Sequence, residues 1–294
     1  GGAADGPAPA GAPPADPGAA VAGTGHADAR TTADAGRVSP ASGWFIDRAA
    51  EIGLQFTYHN GMSGQYYFPE MLPAGVALFD YDQDGDLDVF FPQGEPLASR
   101  EAASPAPHTG GDPDERLGRL FRNDLATGGD GQRTLHFTDV TSASHLVARG
   151  YGMGAAAADI DNDGCVDLYL TYVGTNQLWR NNCDGTFSDI SAASRTNATG
   201  WSVSASFLDY DRDGFLDLYV GNYVRWDLAG DQACTGLTGR RDYCTPAVYR
   251  PQGDRLFHNN RNRTFTDVTA TALKTGPYGP ALGVSTADFD GDGW

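Results

Sequence analysis

The chain has 294 residues, with 38 Asp and Glu against 20 Lys and Arg, for a net charge of −18. Such a surface repels nucleic-acid phosphates and anionic membranes alike, which disfavours both as partners. No run of 18 apolar residues is present, so no segment reads as a membrane-spanning helix.

Residues 1–40 are almost all Ala, Gly, Pro, Asp and Thr. A segment of that composition cannot bury enough apolar area to offset its ordering entropy, which predicts a disordered linker ahead of a domain over 41–294. Gly1 follows no hydrophobic signal core, as expected of a processed product or a fragment. Trp294 interrupts a motif, as expected of a cut C-terminus.

From residue 45 onward three patterns recur in fixed order. The first is Phe-x-Asp, at Phe45–Asp47, Phe137–Asp139, Phe187–Asp189 and Phe265–Asp267. The second is D-x-D-x-D-G-x-x-D, at 80–88, 159–167 and 209–217, with a start of a fourth copy at 288–294. The third is Leu-aromatic-Arg/His-Asn, at 120–123, 178–181 and 256–259. From each Phe to the next loop Asp is 35, 22, 22 and 23 residues, and from each loop Asp to the next Phe is 57, 28 and 56. The basic unit is therefore about 50 residues, a repeat length typical of propeller blades. Insertions decorate it at 58–73, 93–118 and 226–252.

Within a unit the signals are strands. Strand A is built of tiny residues, as in 154–158 and 202–206, which suits the crowded position nearest a central channel. The Asp-rich loop follows. Strand B is β-branched and aromatic, as in 166–172 and 216–220. Strand C carries the Leu-aromatic-x-Asn motif, a tight turn such as 182–185 follows, and strand D carries Phe-x-Asp. Four strands in about 50 residues make one blade, so the fold class is all-β, a β-propeller with about four blades represented here. Strand D at 44–48 precedes any strand A and should complete the last blade of a closed ring. A partial ring would expose two edges prone to aggregation.

The Asp loops carry the chemistry. Carboxylates at positions 1, 3 and 5 point inward as the chain curls round an ion, Gly at position 6 permits the sharp turn, position 7 offers its backbone carbonyl, and the Asp at position 9 closes the shell. Hard oxygen ligands in this number suit Ca²⁺. The ligands are Asp80, Asp82, Asp84, Asp86 and Asp88 in loop one; Asp159, Asp161, Asp163, Cys165 and Asp167 in loop two; and Asp209, Asp211, Asp213, Phe215 and Asp217 in loop three. Loop four offers Asp288, Asp290, Asp292 and Trp294. Asp86, Cys165, Phe215 and Trp294 are the position-7 carbonyl donors. An EF-hand would need Glu at position 12 and flanking helices. Position 12 is Phe91, Leu170 and Val220, and the flanks are strand-like. Metal-free acidic turns are the competing interpretation, but four copies of packed, unneutralised carboxylates would repel strongly. The ions are expected to brace the A–B turns.

In a four-strand meander, A–B and C–D turns share one face, and B–C and D–A connections share the other. The three insertions should therefore converge opposite the calcium loops, where function concentrates. Insertion 58–73 holds His59, Asn60, Tyr66, Tyr67 and Glu70, and 226–252 holds Trp226, Arg240, Arg241, Tyr243, Tyr249 and Arg250. Aromatics with arginine suit a surface that recognises an extracellular protein or glycan; the same aromatics could instead pack the insertions onto the blades. Insertion 93–118, rich in Pro, Ala, Ser and Gly, reads as disordered.

The four cysteines allow three pairings. A shared face favours Cys165–Cys183, and a shared insertion favours Cys234–Cys244. No G-x-S-x-G, H-E-x-x-H or P-loop pattern is present, so the expectation is a binding module rather than an enzyme. The alternative is a carbohydrate-active enzyme, lyase-like, or its substrate-binding half, with His59 and Glu70 as an acid–base pair.

These repeats resemble FG-GAP/VCBS calcium-binding propeller repeats, such as those of the integrin α-subunit head. Phe45-x-Asp47, Phe56-x-Tyr-His-Asn-Gly61, Pro69-Glu70, the run from Gly75 to Asp88, and Cys234 with Tyr243-Cys244-x-Pro246 look like the ASPIC/UnbV, cartilage acidic protein-like family over 44–294. The resemblance implies a secreted or cell-envelope surface propeller, seven-bladed when complete, that binds calcium and acts in adhesion or recognition.

Overall fold

A computed structural model describes residues 45–97, 116–273 and 279–288. The expected linker 1–40, most of insertion 93–118, and Asp290, Asp292 and Trp294 of loop four lie outside them. The three blades among the described residues belong to the unit from Asp47 to Trp294.

Blade one is an antiparallel sheet in the order β1 (Ala77–Phe79), β2 (Asp88–Phe91), β3 (Arg119–Asn123) and β6 (Phe137–Asp139). Between β3 and β6 a hairpin intervenes, β4 (Ala126–Thr127) with β5 (Arg133–Thr134). The extra length of this repeat is thus shared between the B–C and C–D connections, whereas sequence spacing assigned all of it to B–C. Blade two is β7 (Tyr151–Ala158), β8 (Asp167–Thr175), β9 (Gln177–Asn181) and β10 (Phe187–Asp189). A single turn, α1 (Ser191–Ser194), leads to blade three. That blade is β11 (Thr199–Leu208), β12 (Asp217–Asn222), β15 (Arg255–Asn259) and β16 (Phe265–Asp267), followed by the turn α2 (Thr269–Ala272). The insertion between β12 and β15 holds a hairpin of β13 (Cys234–Thr235) and β14 (Arg241–Asp242). The architecture is all-β and propeller-like, with three four-stranded blades among the described residues.

Strand alternation explains the stacking. On β8, Leu168, Leu170 and Tyr172 join Phe79, Phe90 and Leu120 of blade one, while Tyr169 joins Leu218, Val220 and Phe257 of blade three. Blade two is covered on both faces, so its strands read as near-continuous apolar runs. Strands A lie side by side. Gly75 N donates to Met153 O at 2.8 Å, and a Cβ on Gly154 would sit 2.6 Å from Val203 O. This close approach is what requires the tiny residues of strand A. Both β7 and β11 carry an irregularity at matching places, between Gly152 and Gly154 and between Ser202 and Ser204. Beyond blade three, Ala281 N donates to Asn222 O and Val284 N to Ser204 Oγ, so 279–288 runs along blade three where the next strand A is expected.

Of the expected strand D at 44–48, the described residues 45–48 form no strand. Residues 45–48 have no strand partner, and Phe45 is 95% exposed. No strand C is available to pair with them among the described residues. The chain that follows covers blade one instead. Ile52 O accepts the Phe137 N–H, and Ile52, Leu54 and Phe56 pack on Val89, Phe121 and Phe137. Seven residues after its own Phe, Ser144 makes the same bond to Phe187 N. The ends of the first two Phe-x-Asp repeats therefore dock on the next blade's outer strand.

Candidate metal centres and the opposite face

The three Asp loops fold alike, down to individual hydrogen bonds. The position-1 carboxylate accepts the N–H groups of positions 5 and 6: Asp80 from Asp84 and Gly85, Asp159 from Asp163 and Gly164, and Asp209 from Asp213 and Gly214. The position-6 glycines have φ of +85 to +90°, a conformation that a side chain would strain. The position-5 carboxylate accepts the position-7 N–H, from Asp86, Cys165 and Phe215. The position-9 aspartates, Asp88, Asp167 and Asp217, are fully buried. Each receives the N–H of position 2 on one oxygen and that of the strand-C asparagine on the other, at 2.8–3.1 Å.

These bonds bring carboxylates together. Asp80, Asp82 and Asp88 offer oxygens within 4.8 Å of one another, as do Asp159, Asp161 and Asp167, and Asp209, Asp211 and Asp213. Asp84 and Asp163 lie outside the clusters of their loops. Asp288 is exposed. At an effective dielectric of about 20, two charges at that separation repel by about 3 kcal/mol. Burial, with backbone N–H groups working against it, pushes Asp88 up to about 6 and Asp167 up to about 7, and raises Asp217 as well. Burial followed by the charges of Asp84 and Asp80 raises Asp82.

A cation fits this chemistry, and one observation tests it. Asp82 Oδ1 and Asp161 Oδ1 are buried with no hydrogen-bond partner, although every position-1 and position-9 carboxylate around them is bonded. The side chain of Asp161 is only 8% exposed. Buried carboxylate oxygens without donors are costly unless another ligand meets them.

The loops differ in their surroundings. In loop two, Arg180 on β9 donates Nε to Asp161 and its terminal nitrogen to Asp163, and Arg263 of blade three also grips Asp161. Burial pushes Asp161 up, but these two guanidiniums outweigh it and hold the carboxyl below its ordinary value. In loop one the equivalent Arg122 turns away to Asp124 at 2.7 Å. In loop three His258 takes that place, with Nδ1 3.2 Å from Asp211 and 3.3 Å from Asp217, and Arg261 holds Asp213.

The strand-C asparagine was visible in the sequence only as a strand marker. Asn181 Nδ2 donates to Tyr81 O in the loop of blade one and to Val166 O in its own blade. Asn259 does the same with Ile160 O and Leu216 O. Their Oδ1 atoms accept the turn N–H groups of Cys183 and Arg261. In blade one the tight turn is replaced by the β4–β5 hairpin, and Asn123 Oδ1 is left unpartnered. The position-4 side chains reach forward: Gln83 Nε2 to Gly164 O, and Asn162 Nδ2 to Gly214 O. The disulfide Cys165–Cys183 ties loop two to the C–D turn of its blade, and Cys234–Cys244 closes the β13–β14 insertion.

On the other face insertions 58–73 and 226–252 meet, as the topology requires of them. Phe68 stacks on Tyr249, Tyr67 meets Trp226 edge-on, and Tyr66 meets Tyr243. Gln93 Oε1 accepts the His59 N–H. Phe68, Tyr151, Trp201 and Tyr223 form a buried cluster beneath. Most of these aromatics thus pack the insertions onto the blades, while Arg225, Arg240, Arg241 and Arg250 stay exposed. Glu70 is 3% exposed, and its oxygens accept from Ser63 N, Ser63 Oγ and Tyr243 OH. The His59 side chain is not among its partners, so the acid–base pair of the enzymatic alternative is not assembled. Packing of the insertion onto the neighbouring one claims the Glu70 carboxylate instead.

A family model of FG-GAP-like repeats matches residues 159–220 and 238–294. The matched spans contain loops two, three and four. Loop one lies outside them yet has the same hydrogen-bond pattern. No curated protein matches the chain. Among the described residues, no helix is long and apolar enough to cross a membrane.

Proposed function

We propose that the chain is a calcium-stabilised propeller module of the ASPIC/UnbV type that works outside the cell or on its envelope as a recognition or adhesion unit. The observation that carries the calcium assignment is the repeated carboxylate cluster whose buried position-3 oxygens, on Asp82 and Asp161, have no partner within the protein. Asp80, Asp82 and Asp88 would hold one ion; Asp159, Asp161 and Asp167 a second; Asp209, Asp211 and Asp213, with buried Asp217 behind them, a third. A bound calcium supplies positive charge that neutralises these carboxylates and fixes the A–B turns. The chain's own residues do the rest. Position-1 and position-9 carboxylates curl each loop through main-chain bonds, and the strand-C asparagines fasten it to the blade behind. Two disulfides fit an oxidising compartment.

On this reading the partner, a protein or glycan, docks on the face opposite the Asp loops. The exposed arginines and Tyr66 lie there on a platform held rigid by packed aromatics. The unit binds and does not transform its partner, which agrees with Glu70 being sequestered by Ser63 and Tyr243. Thermal unfolding with calcium and with EDTA, alongside ion counting by native mass spectrometry, tests the assignment. A rise of several degrees with three or more ions bound is expected. An unchanged melting temperature with no ion retained would remove it.

A further inference from the structure

The Asp loops are not isolated from one another. Between loops one and two, Gln83 at position 4 donates to Gly164 O at position 6 of the next loop at 2.8 Å. In return, Asn181 of blade two donates to Tyr81 O at position 2 of loop one at 2.7 Å. Between loops two and three the same pair of bonds recurs, from Asn162 to Gly214 O at 3.0 Å and from Asn259 to Ile160 O at 2.8 Å. Each bridge ends on main chain that the cation ligands themselves define. Tyr81 and Ile160 lie between the position-1 and position-3 carboxylates, and their own N–H groups hold Asp88 and Asp167. Asn181 and Asn259 also give their main-chain N–H to the position-9 carboxylates of their own blades. One asparagine therefore touches a ligand of its own loop and the ligand-bearing peptide of the loop before it. Gln83 and Asn162 reach forward from backbones at φ +64° and +56° in the curled loop.

We propose that the loops take up cations as a coupled row, with Gln83, Asn162, Asn181 and Asn259 as positioning residues that pass the order of one filled loop to its neighbours. The inference rests on the calcium assignment above and adds the coupling between sites. Curling a loop round an ion costs conformational freedom. A neighbour already held in the curled state by two bridges has less freedom to lose, which is positive cooperativity without a change of fold. The unpartnered oxygen of Asp161, on a side chain 8% exposed in the middle loop, independently marks that loop as built to receive a ligand.

The test is calcium titration of the full chain by calorimetry, with ion counting by native mass spectrometry. Wild type is expected to bind with a Hill coefficient above 1. Asp161→Asn disables loop two. Coupling then requires loops one and three, whose ligands are untouched, to weaken by about fivefold or more, the lower end of ordinary allosteric coupling. Gln83→Gly and Asn162→Gly remove the forward bridge of each seam and leave those of Asn181 and Asn259, while glycine keeps the positive φ. They should retain the ion count and lower the Hill coefficient towards 1, an outcome that does not depend on how well Asp161→Asn folds. Full ion count with a wild-type Hill coefficient of 1, or with loops one and three unweakened in Asp161→Asn, overturns the coupling and leaves the calcium assignment standing. Absence of calcium binding by wild type overturns both.

Discussion

Removing the ions should invert the pH dependence of stability, and the size of the effect follows from two buried aspartates. Without a cation, Asp88 is pushed up to about 6 and Asp167 up to about 7 by burial, against an ordinary value of 3.8. The folded chain then binds more protons than the unfolded chain through the weakly acidic range. A raised carboxyl destabilises the fold once it must ionise, so stability in EDTA is highest at low pH and falls as pH climbs through 6 to 7. Applying 1.36 kcal/mol per pKa unit, the loss between pH 5 and pH 8 is about 1.4 kcal/mol for Asp88 and about 2.7 for Asp167. Asp217, raised for the same reason, adds to it. Together, about 4 kcal/mol corresponds to a drop of roughly 10 °C in melting temperature for a unit of this size. With calcium the sign reverses, because a ligand must be deprotonated and acid strips the ion. Differential scanning fluorimetry from pH 5 to 8, in millimolar calcium and in EDTA, should show two curves that diverge as pH rises. An EDTA curve that climbs with pH over this window would refute the reasoning, since it would mean that these carboxylates ionise at no cost in the folded chain.

Three further outcomes are expected. Asn181→Ala and Asn259→Ala each strand two buried carbonyls and one turn N–H, and should cost about 2–4 kcal/mol in chemical denaturation; Asn123→Ala, which has one such bond, should cost less. Arg263→Gln removes one of the two guanidiniums on Asp161 and should raise the calcium affinity of loop two several-fold, read by calorimetry, since the ion no longer competes with it. Replacing Cys234 and Cys244 by Ser should expose the β13–β14 insertion to limited proteolysis and lower stability by about 2–3 kcal/mol, with the blades themselves still protected.

Much of the fold was legible because the motifs repeat. Every Phe-x-Asp from Phe137 onward became a strand D, every Leu-aromatic-x-Asn a strand C, and every complete Asp nonapeptide a curled A–B loop. The exception, Phe45, shows the limit: a strand exists only when its partner does, and the motif alone cannot say whether a strand C is at hand. Length also misled. The surplus residues of the first repeat could be counted, but counting could not divide them between 93–118 and the hairpin at 126–134. At the site, the spacing located the carboxylates but not their neighbours. That Arg122 turns to Asp124 while Arg180 turns to Asp161 depends on whether Asp or Asn follows strand C. The bridges from Gln83 and Asn181 join residues 81 and 100 positions apart, a distance no local pattern spans. The aromatics of the insertions could be read either as a surface or as packing, and burial decided for packing because two insertions from different blades cover each other.

The pairing of β8 with β11 has a consequence for how the molecule would come apart. Thr175, Gly174 and Val173 face Thr199, Gly200 and Trp201, so blades two and three share one continuous sheet of eight strands. Blade one has its own sheet and meets blade two through side chains and isolated main-chain bonds such as Gly75 to Met153. The two seams are therefore unequal: one is laced by a ladder, the other only pinned. Amide exchange and pulling experiments would find the weak line between the first and second blades, and the second and third would come away as a single piece.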